Sequence, residues 1–241
     1  MSRPPAPRAE VEPPSGPPMG LIGAVTAVLV AIIAVVVYLA VRGDGLTAQG
    51  GADTLAEGGG IAVNPEVTGV PEVHIYADFQ CPFCGQLEQT SGSAITEAAA
   101  AGEVQLTYTF MSFLDGNLGN DSSSRAANAA VCAADAGEVS GFVEGVFAQQ
   151  PENEGDGYSD DIFLGVAEDI GIEGADLDTF TTCVQDQTYA AYVQDMQERA
   201  SKDKVSSSPV VKIDGEPISN EDLSRLLQEP ASFTDVVAAN S

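Results

Sequence analysis

The chain is short of positive charge. Only 9 of its 241 residues are lysine or arginine, against 36 aspartates and glutamates, a formal net charge of −27. A polyanion gains nothing from counterion release on another polyanion, which excludes nucleic-acid binding. The same balance argues against electrostatic adsorption to anionic lipid and disfavours self-association through a polar surface at low salt. Cysteine is scarce too: four residues are too few for a mini-domain stapled by disulfides. Histidine is limited to His74 and there is one CxxC, so only Cys132, Cys183 and His74 could complete a zinc site with that pair, a spacing that argues against one. No internal repeat occurs at solenoid spacing. What the chain does have is 44% hydrophobic residues, enough for a real core, so its acidity is not that of a disordered tail.

Composition divides the chain into four parts. Residues 1–20 hold seven of the fourteen prolines and no hydrophobic period, which predicts a disordered arm. Leu21–Val41 is apolar except for Gly23, Thr26 and Tyr38. As a helix it would span roughly 30 Å, the thickness of a bilayer's hydrocarbon core. That length favours a transmembrane anchor over a cleaved signal peptide, whose apolar region runs about 7–15 residues. Arg3 and Arg8 precede the span and only Arg42 closely follows it, so the charge bias puts the arm in the cytoplasm and the rest outside. Residues 42–60 are glycine-rich and read as a tether. Residues 61–241 fit a single domain.

Within that domain Glu72–Phe79 (EVHIYADF) and Glu103–Phe110 (EVQLTYTF) read as strands, and Cys84–Ala101 between them as a helix, with a possible interruption at Ser91–Ser93. A helical stretch from about Ser122 to Lys202 follows, broken at Gly137, at Pro151–Gly157 and around Gly171–Gly174. Asp121 with Ser122–Ser124 reads as helix-cap chemistry. Pro209–Ile213 is a third strand, and Asp214-Gly215 turns it into a short fourth at Glu216–Ile218. Ser219 with Asp222 resembles a capping box that opens a terminal helix through Leu227. The order is an α/β layout with a helical insertion between two halves of one sheet.

Cys81-Pro82-Phe83-Cys84 sits where the first strand gives way to the first helix. Unpaired N–H groups and the dipole at a helix N-terminus favour a thiolate. Cys81, nearer the end, is the expected attacking nucleophile; Cys84, one turn in, is the expected resolving thiol. Pro82 suits the first helical position because its missing N–H had no partner to lose. A purely structural Cys81–Cys84 bridge closes so short a loop that it would stabilise little. Cys132 and Cys183 each fall in a predicted helix. Outside the cytoplasm they would pair as a structural disulfide, the alternative being two buried thiols.

The segments YADFQCPFC and SSPVVKIDG, with the helical block between them, resemble the DsbA-like thioredoxin-fold oxidoreductases, in particular the membrane-anchored members of Gram-positive, actinobacterial type. The resemblance covers residues 61–241. It implies a thioredoxin fold with an inserted all-helical subdomain at about 120–203, preceded by one N-terminal transmembrane helix. It also implies catalytic Cys81 and Cys84 flanking Pro82 and Phe83, a cis-proline loop at Ser208-Pro209 and a structural Cys132–Cys183 disulfide. Two positions depart from the family pattern. Phe83 stands where strongly oxidising members often have His, and Ile75 stands six residues before Cys81, where many have an acidic residue.

The expected function is thiol–disulfide exchange at the cell membrane, on its outer side. The expected direction is oxidation of exported proteins with free thiols, with reoxidation by a membrane partner and with no cofactor or metal. The alternatives are a reductase or isomerase of the same fold, or a surface binding protein with a structural CxxC. Beyond residue 43 the chain holds 34 acidic against 6 basic residues, so the expected exported part carries the whole charge excess. That field disfavours a thiolate, and any lowering of the Cys81 pKa has to be local.

Overall fold

Residues 60–241 are described in the computed structural model of the chain. The expected arm and span lie outside them, as does the expected tether up to residue 59. Among the described residues no helix is long and apolar enough to cross a membrane.

The fold is built on the EVHIYA segment. Val73 through Ala77 are all buried, so this strand is covered on both faces and reads as a continuous run rather than an alternation. The segment forms β2 (Glu72–Ala77), the middle strand of a five-stranded sheet. On one side β3 (Gln105–Phe110) runs parallel to it, from Glu72 opposite Gln105 to Ala77 opposite Phe110. On the other side β4 (Val210–Ile213) runs antiparallel and leads into β5 (Glu216–Pro217). The turn between them has Asp214 and Gly215 both at positive φ, 50° and 84°, the geometry of a two-residue hairpin that Asp-Gly adopts readily. A two-residue edge strand, β1 (Ile61–Ala62), pairs antiparallel with β3. Sequence patterning missed it because two residues carry no period.

The crossover from β2 to β3 is helical: α1 (Pro82–Leu87), a π-helical turn at Glu88–Gly92, then α2 (Ser93–Ala100). Where an interruption was expected, the helix widens by one residue and continues. Its widened face turns Gln86, Thr90 and Ser91 towards α9 (Asn220–Gln228). Gln86 and Thr90 donate to the Leu227 carbonyl at 3.0 and 3.1 Å, and Ser91 donates to that of Leu226 at 2.7 Å. Carbonyls at the end of α9, which lack intrahelical partners, are thereby satisfied. At its other end Ser219 accepts from the Asp222 N–H at 3.1 Å, the cap its sequence announces. A last helix, α10 (Phe233–Asn240), was not anticipated.

Between β3 and β4 the chain inserts α3 (Phe113–Leu118), α4 (Ser122–Asp135), α5 (Val139–Ala148), α6 (Asp160–Asp169), α7 (Gly174–Gln185) and α8 (Ala190–Lys202). The small residues of α4 let it sit at the centre of this group: Ala126, Ala127, Ala129, Ala130, Ala133 and Ala134 are all buried. Cys132 on α4 and Cys183 on α7 form a disulfide, with Cα atoms 6.0 Å apart. Phe79 joins sheet to insertion, stacking on Phe110 of β3 at 4.6 Å and on Phe147 of α5 at 4.8 Å. Each fully buried phenylalanine contributes roughly 1.5–3 kcal/mol.

The start of α4 departs from expectation. Asp121 occupies the cap position but makes no side-chain cap bond. Asp115 of α3 caps instead, accepting from the N–H groups of Ser123 and Ser124 at 2.7 and 3.0 Å, and Asn120 accepts from that of Ser122 at 3.2 Å. Asp115 leaves Asp121 to pair with Arg125 at 3.7 Å. Arg125 also pairs with Asp160 in the first turn of α6.

Candidate active site

Cys81 is the N-cap of α1 and Pro82 its first residue. The Cys81 N–H donates to the Asp78 carbonyl at 3.0 Å, and the Cys81 carbonyl accepts from the N–H groups of Cys84 and Gly85 at 3.1 and 3.2 Å. Both cysteines are free thiols, Cys81 7% exposed and Cys84 1%. Phe83 between them is 60% exposed and is the only exposed large hydrophobic side chain among the described residues.

The two sulfurs are driven apart in acidity. The Cys81 pKa is lowered to about 6, first by the Cys84 thiol directed at it, then by the Ser208 side chain and the helix N–H groups of Cys84 and Phe83, all against the cost of burial. Burial pushes the Cys84 thiol well above the usual thiol range, and a neighbouring Cys81 thiolate raises it further. At neutral pH one sulfur is therefore largely a thiolate and the other a thiol, which suits an attacking or leaving Cys81 and a proton held on Cys84. The helix terminus contributes, as the sequence suggested. It is joined by Cys84 and by the loop before β4, contributions that neighbouring letters in a sequence do not announce.

That loop carries a cis peptide bond at Ser208-Pro209. The Cys81 sulfur lies 3.4 Å from the Ser208 carbonyl oxygen, placed to donate its S–H there. The structure thus brings together Cys81, Pro82, Phe83, Cys84, Ser208 and Pro209. Cys132 and Cys183 form their own disulfide within the insertion.

Several residues about the site were not foreseen. Ile75 fills the position six residues before Cys81 as a core residue, 1% exposed. The buried carboxyl is instead Asp78, with no exposure at all. It accepts from Ser123 Oγ at 2.5 Å and from the N–H groups of Gln80 at 3.0 Å and Leu114 at 3.3 Å. Burial outweighs these bonds and raises its pKa to about 7. The signal was present as an acidic residue closing a strand buried on both faces. Gln80, just before Cys81, has its side-chain amide nitrogen 2.9 Å from Asp115, Asn120 and Ser123, tying the loop to the starts of α3 and α4. Gln150 donates to the carbonyls of Phe79 and Cys81 at 2.7 and 3.0 Å. Tyr158 donates to that of Phe79 at 2.8 Å. His74 is buried, bonded to Thr109 at 2.7 Å and stacked on Tyr76, with its pKa lowered by burial to about 4. It is a neutral core residue. No group of three or more histidine, cysteine or acidic side chains able to hold a metal ion occurs among the described residues.

A central parallel strand pair, a dithiol at the following helix start and a facing cis-proline loop define a thioredoxin-type redox domain. The chain belongs to the thioredoxin family, whose model matches residues 69–229. No curated protein matches it in sequence. Among solved structures it is similar in fold to the MdbA thiol-disulfide oxidoreductase of Actinomyces oris, at 18% identity over 78% of this chain and 88% of that one, with a TM-score of 0.64. It is likewise similar to DsbA of Mycobacterium tuberculosis in its reduced form, at 23% identity over 71% and 89%, TM-score 0.51. BdbD of Bacillus subtilis matches at 17% identity over 70% and 86%, TM-score 0.56.

Proposed function

We propose that this protein is a thiol–disulfide oxidoreductase that works as a disulfide donor. It acts on exported proteins with free thiols, outside the cytoplasm and tethered by the apolar segment 21–41. The observation that carries the reading is the free Cys81–Cys84 dithiol at the start of α1 beside the cis Ser208-Pro209 loop. Cys81 stands at the helix terminus with Cys84 buried behind it, an arrangement that lowers the pKa of the first thiol and raises that of the second. A stabilised Cys81 thiolate stabilises the reduced enzyme, and a stabilised reduced form makes the disulfide form an oxidant. A substrate thiolate attacks Cys81 Sγ. The Cys81–Cys84 bond breaks with its electron pair on Cys84, which takes up a proton. A second substrate sulfur then attacks the first, and Cys81 leaves as the thiolate it prefers to be. Electrons pass only between sulfurs, so no cofactor is required, and a membrane partner restores the disulfide.

Pro82, Phe83 and the Ser208-Pro209 loop are the supporting residues of this reading. Exposed Phe83 offers an apolar contact, and the loop offers backbone groups to an extended substrate segment. A reductase or isomerase would draw on the same fold, but an acidic Cys81 favours oxidation of the substrate. The test is Cys84→Ala in cells. The variant should accumulate mixed disulfides between Cys81 and exported proteins, released by reductant. Absence of such adducts, with Cys81 alkylatable and the protein folded, would refute the assignment.

A further inference from the structure

Gln80, the residue before Cys81, keeps its side chain inside the protein. Its amide nitrogen lies 2.9 Å from Asp115 Oδ1, from Asn120 Oδ1 and from Ser123 Oγ. Its amide oxygen accepts from Asn120 Nδ2 at 2.8 Å, and the same Asn120 nitrogen donates to the Gly155 carbonyl at 3.2 Å. Ser123 Oγ directs its own proton to Asp78 Oδ1 at 2.5 Å, so towards Gln80 it acts as an acceptor. The site therefore asks for donors at one atom of residue 80 and an acceptor at the other. A carboxamide supplies both; a carboxylate or an apolar group does not.

The turn next to this side chain is the one that aims the reactive thiol. The Gln80 N–H donates to Asp78 Oδ1 at 3.0 Å and the Cys81 N–H to the Asp78 carbonyl at 3.0 Å, which closes residues 78–81 into a turn. Cys81 leaves it as the N-cap of α1, at φ −77° and ψ 120°. From there its sulfur meets the N–H groups of Phe83 and Cys84. Such contacts are sensitive to placement: a shift of about 1 Å at a reacting atom can cost about 10²-fold in rate.

We propose that Gln80 is a positioning residue for Cys81: its carboxamide clamps the 78–81 turn to the insertion and so holds the sulfur against the N–H groups at the start of α1. The partners of the clamp lie on α3 (Asp115), in the link that follows it (Asn120) and in the first turn of α4 (Ser123). Asn120 extends it to the segment 150–158, whose two ends grip the same loop. Gln150 donates to the carbonyls of Phe79 and Cys81, and Tyr158 donates to that of Phe79. An amide suits this place for a second reason. It is neutral, and so adds no negative charge beside a thiolate in a chain already rich in carboxylates.

The proposal rests on Cys81 being the reactive thiol of the proposed function. The test measures the pH dependence of Cys81 alkylation and the equilibrium with glutathione in Gln80→Ala and Asn120→Ala, neither of which needs a protein substrate. Gln80→Ala should raise the alkylation midpoint by roughly one unit and move the glutathione equilibrium roughly tenfold towards the disulfide at about pH 8. Asn120→Ala leaves the Asp115 and Ser123 bonds in place and should shift both in the same sense by less. The Cys132→Ala, Cys183→Ala double variant controls for lost stability alone. The clamp uses only the first turn of α4, so this protein should keep the parent's midpoint. An unchanged midpoint in folded Gln80→Ala would overturn the proposal and leave Gln80 a packing residue. An equal shift in the control would overturn it as well. Should Gln80→Ala fail to fold, Asn120→Ala carries the test, and an unchanged midpoint there would contradict the clamp. A lack of mixed disulfides in Cys84→Ala would sink the proposed function and leave these readouts standing.

Discussion

The side chain of Gln150 lies across α1 and donates to the carbonyl of Cys81 at 3.0 Å, and its path is open because residue 85 is glycine. A Cβ at Gly85 would stand 2.2 Å from Gln150 Oε1. An alanine there gains about 1 kcal/mol of helix propensity. It loses the two Gln150 bonds, at about 1 kcal/mol each. Gly85→Ala should therefore destabilise by about 1 kcal/mol, whereas in a Gln150→Ala background it should stabilise. Urea unfolding of the single and double variants measures the cycle. Additive effects would mean the two residues are not coupled.

Cys81 should be the only cysteine alkylated rapidly in the reduced native protein. Its rate should rise with pH to a plateau, with a midpoint near 6. Cys84 should remain unreactive until well past pH 9. Mass spectrometry after timed iodoacetamide quenching locates the modified residue, and a midpoint near 8.5 would remove the proposed driving force.

Stability should decline as pH rises from about 4 to about 7. Glu88 and Asp78 both have pKa values raised by burial to about 7 in the folded protein. A raised carboxyl favours folding below its unfolded pKa, and the contribution is lost as pH climbs through the folded value. Buried neutral His74 works the other way, its contribution lost as pH falls from about 6.5 to about 4, but it is one group against two. Glu88→Gln should flatten the profile, adding up to about 3 kcal/mol at pH 8 and little at pH 4. Thermal melts at both pH values check it.

Opening the Cys132–Cys183 bridge should cost stability without touching the reactive pair. The chain-entropy relation for a loop of this length gives about 4 kcal/mol. The Cys132→Ala, Cys183→Ala double variant should thus melt well below the parent and keep the Cys81 alkylation midpoint. A shifted midpoint would show the insertion coupled to the site.

Four of the five strands, most of the helices, the CPFC placement and the Ser219 cap were legible because each rests on local pattern. Cys81 and Cys84 announce themselves by spacing and by sitting at a strand-to-helix junction. Asp78, Gln80 and Gln150 did not, because their roles are set by partners 35 to 71 residues away, at Leu114, Ser123, Asp115 and Phe79. The cap at α4 went to Asp115 over Asp121 for a related reason: a short helix, α3, carries Asp115 back over the next helix start. Ser91–Ser93 signalled an irregularity in the first helix but not its form, since the extra residue of the π turn at Glu88–Gly92 shows only in which side chains reach α9.

The central claim is that Cys81 and Cys84 form an oxidising pair, and the equilibrium with glutathione tests it most directly. The predicted potential lies well above that of a thioredoxin, about −270 mV, because the Cys81 thiolate stabilises the reduced form. A potential at or below that value would contradict the account and point to a reductase.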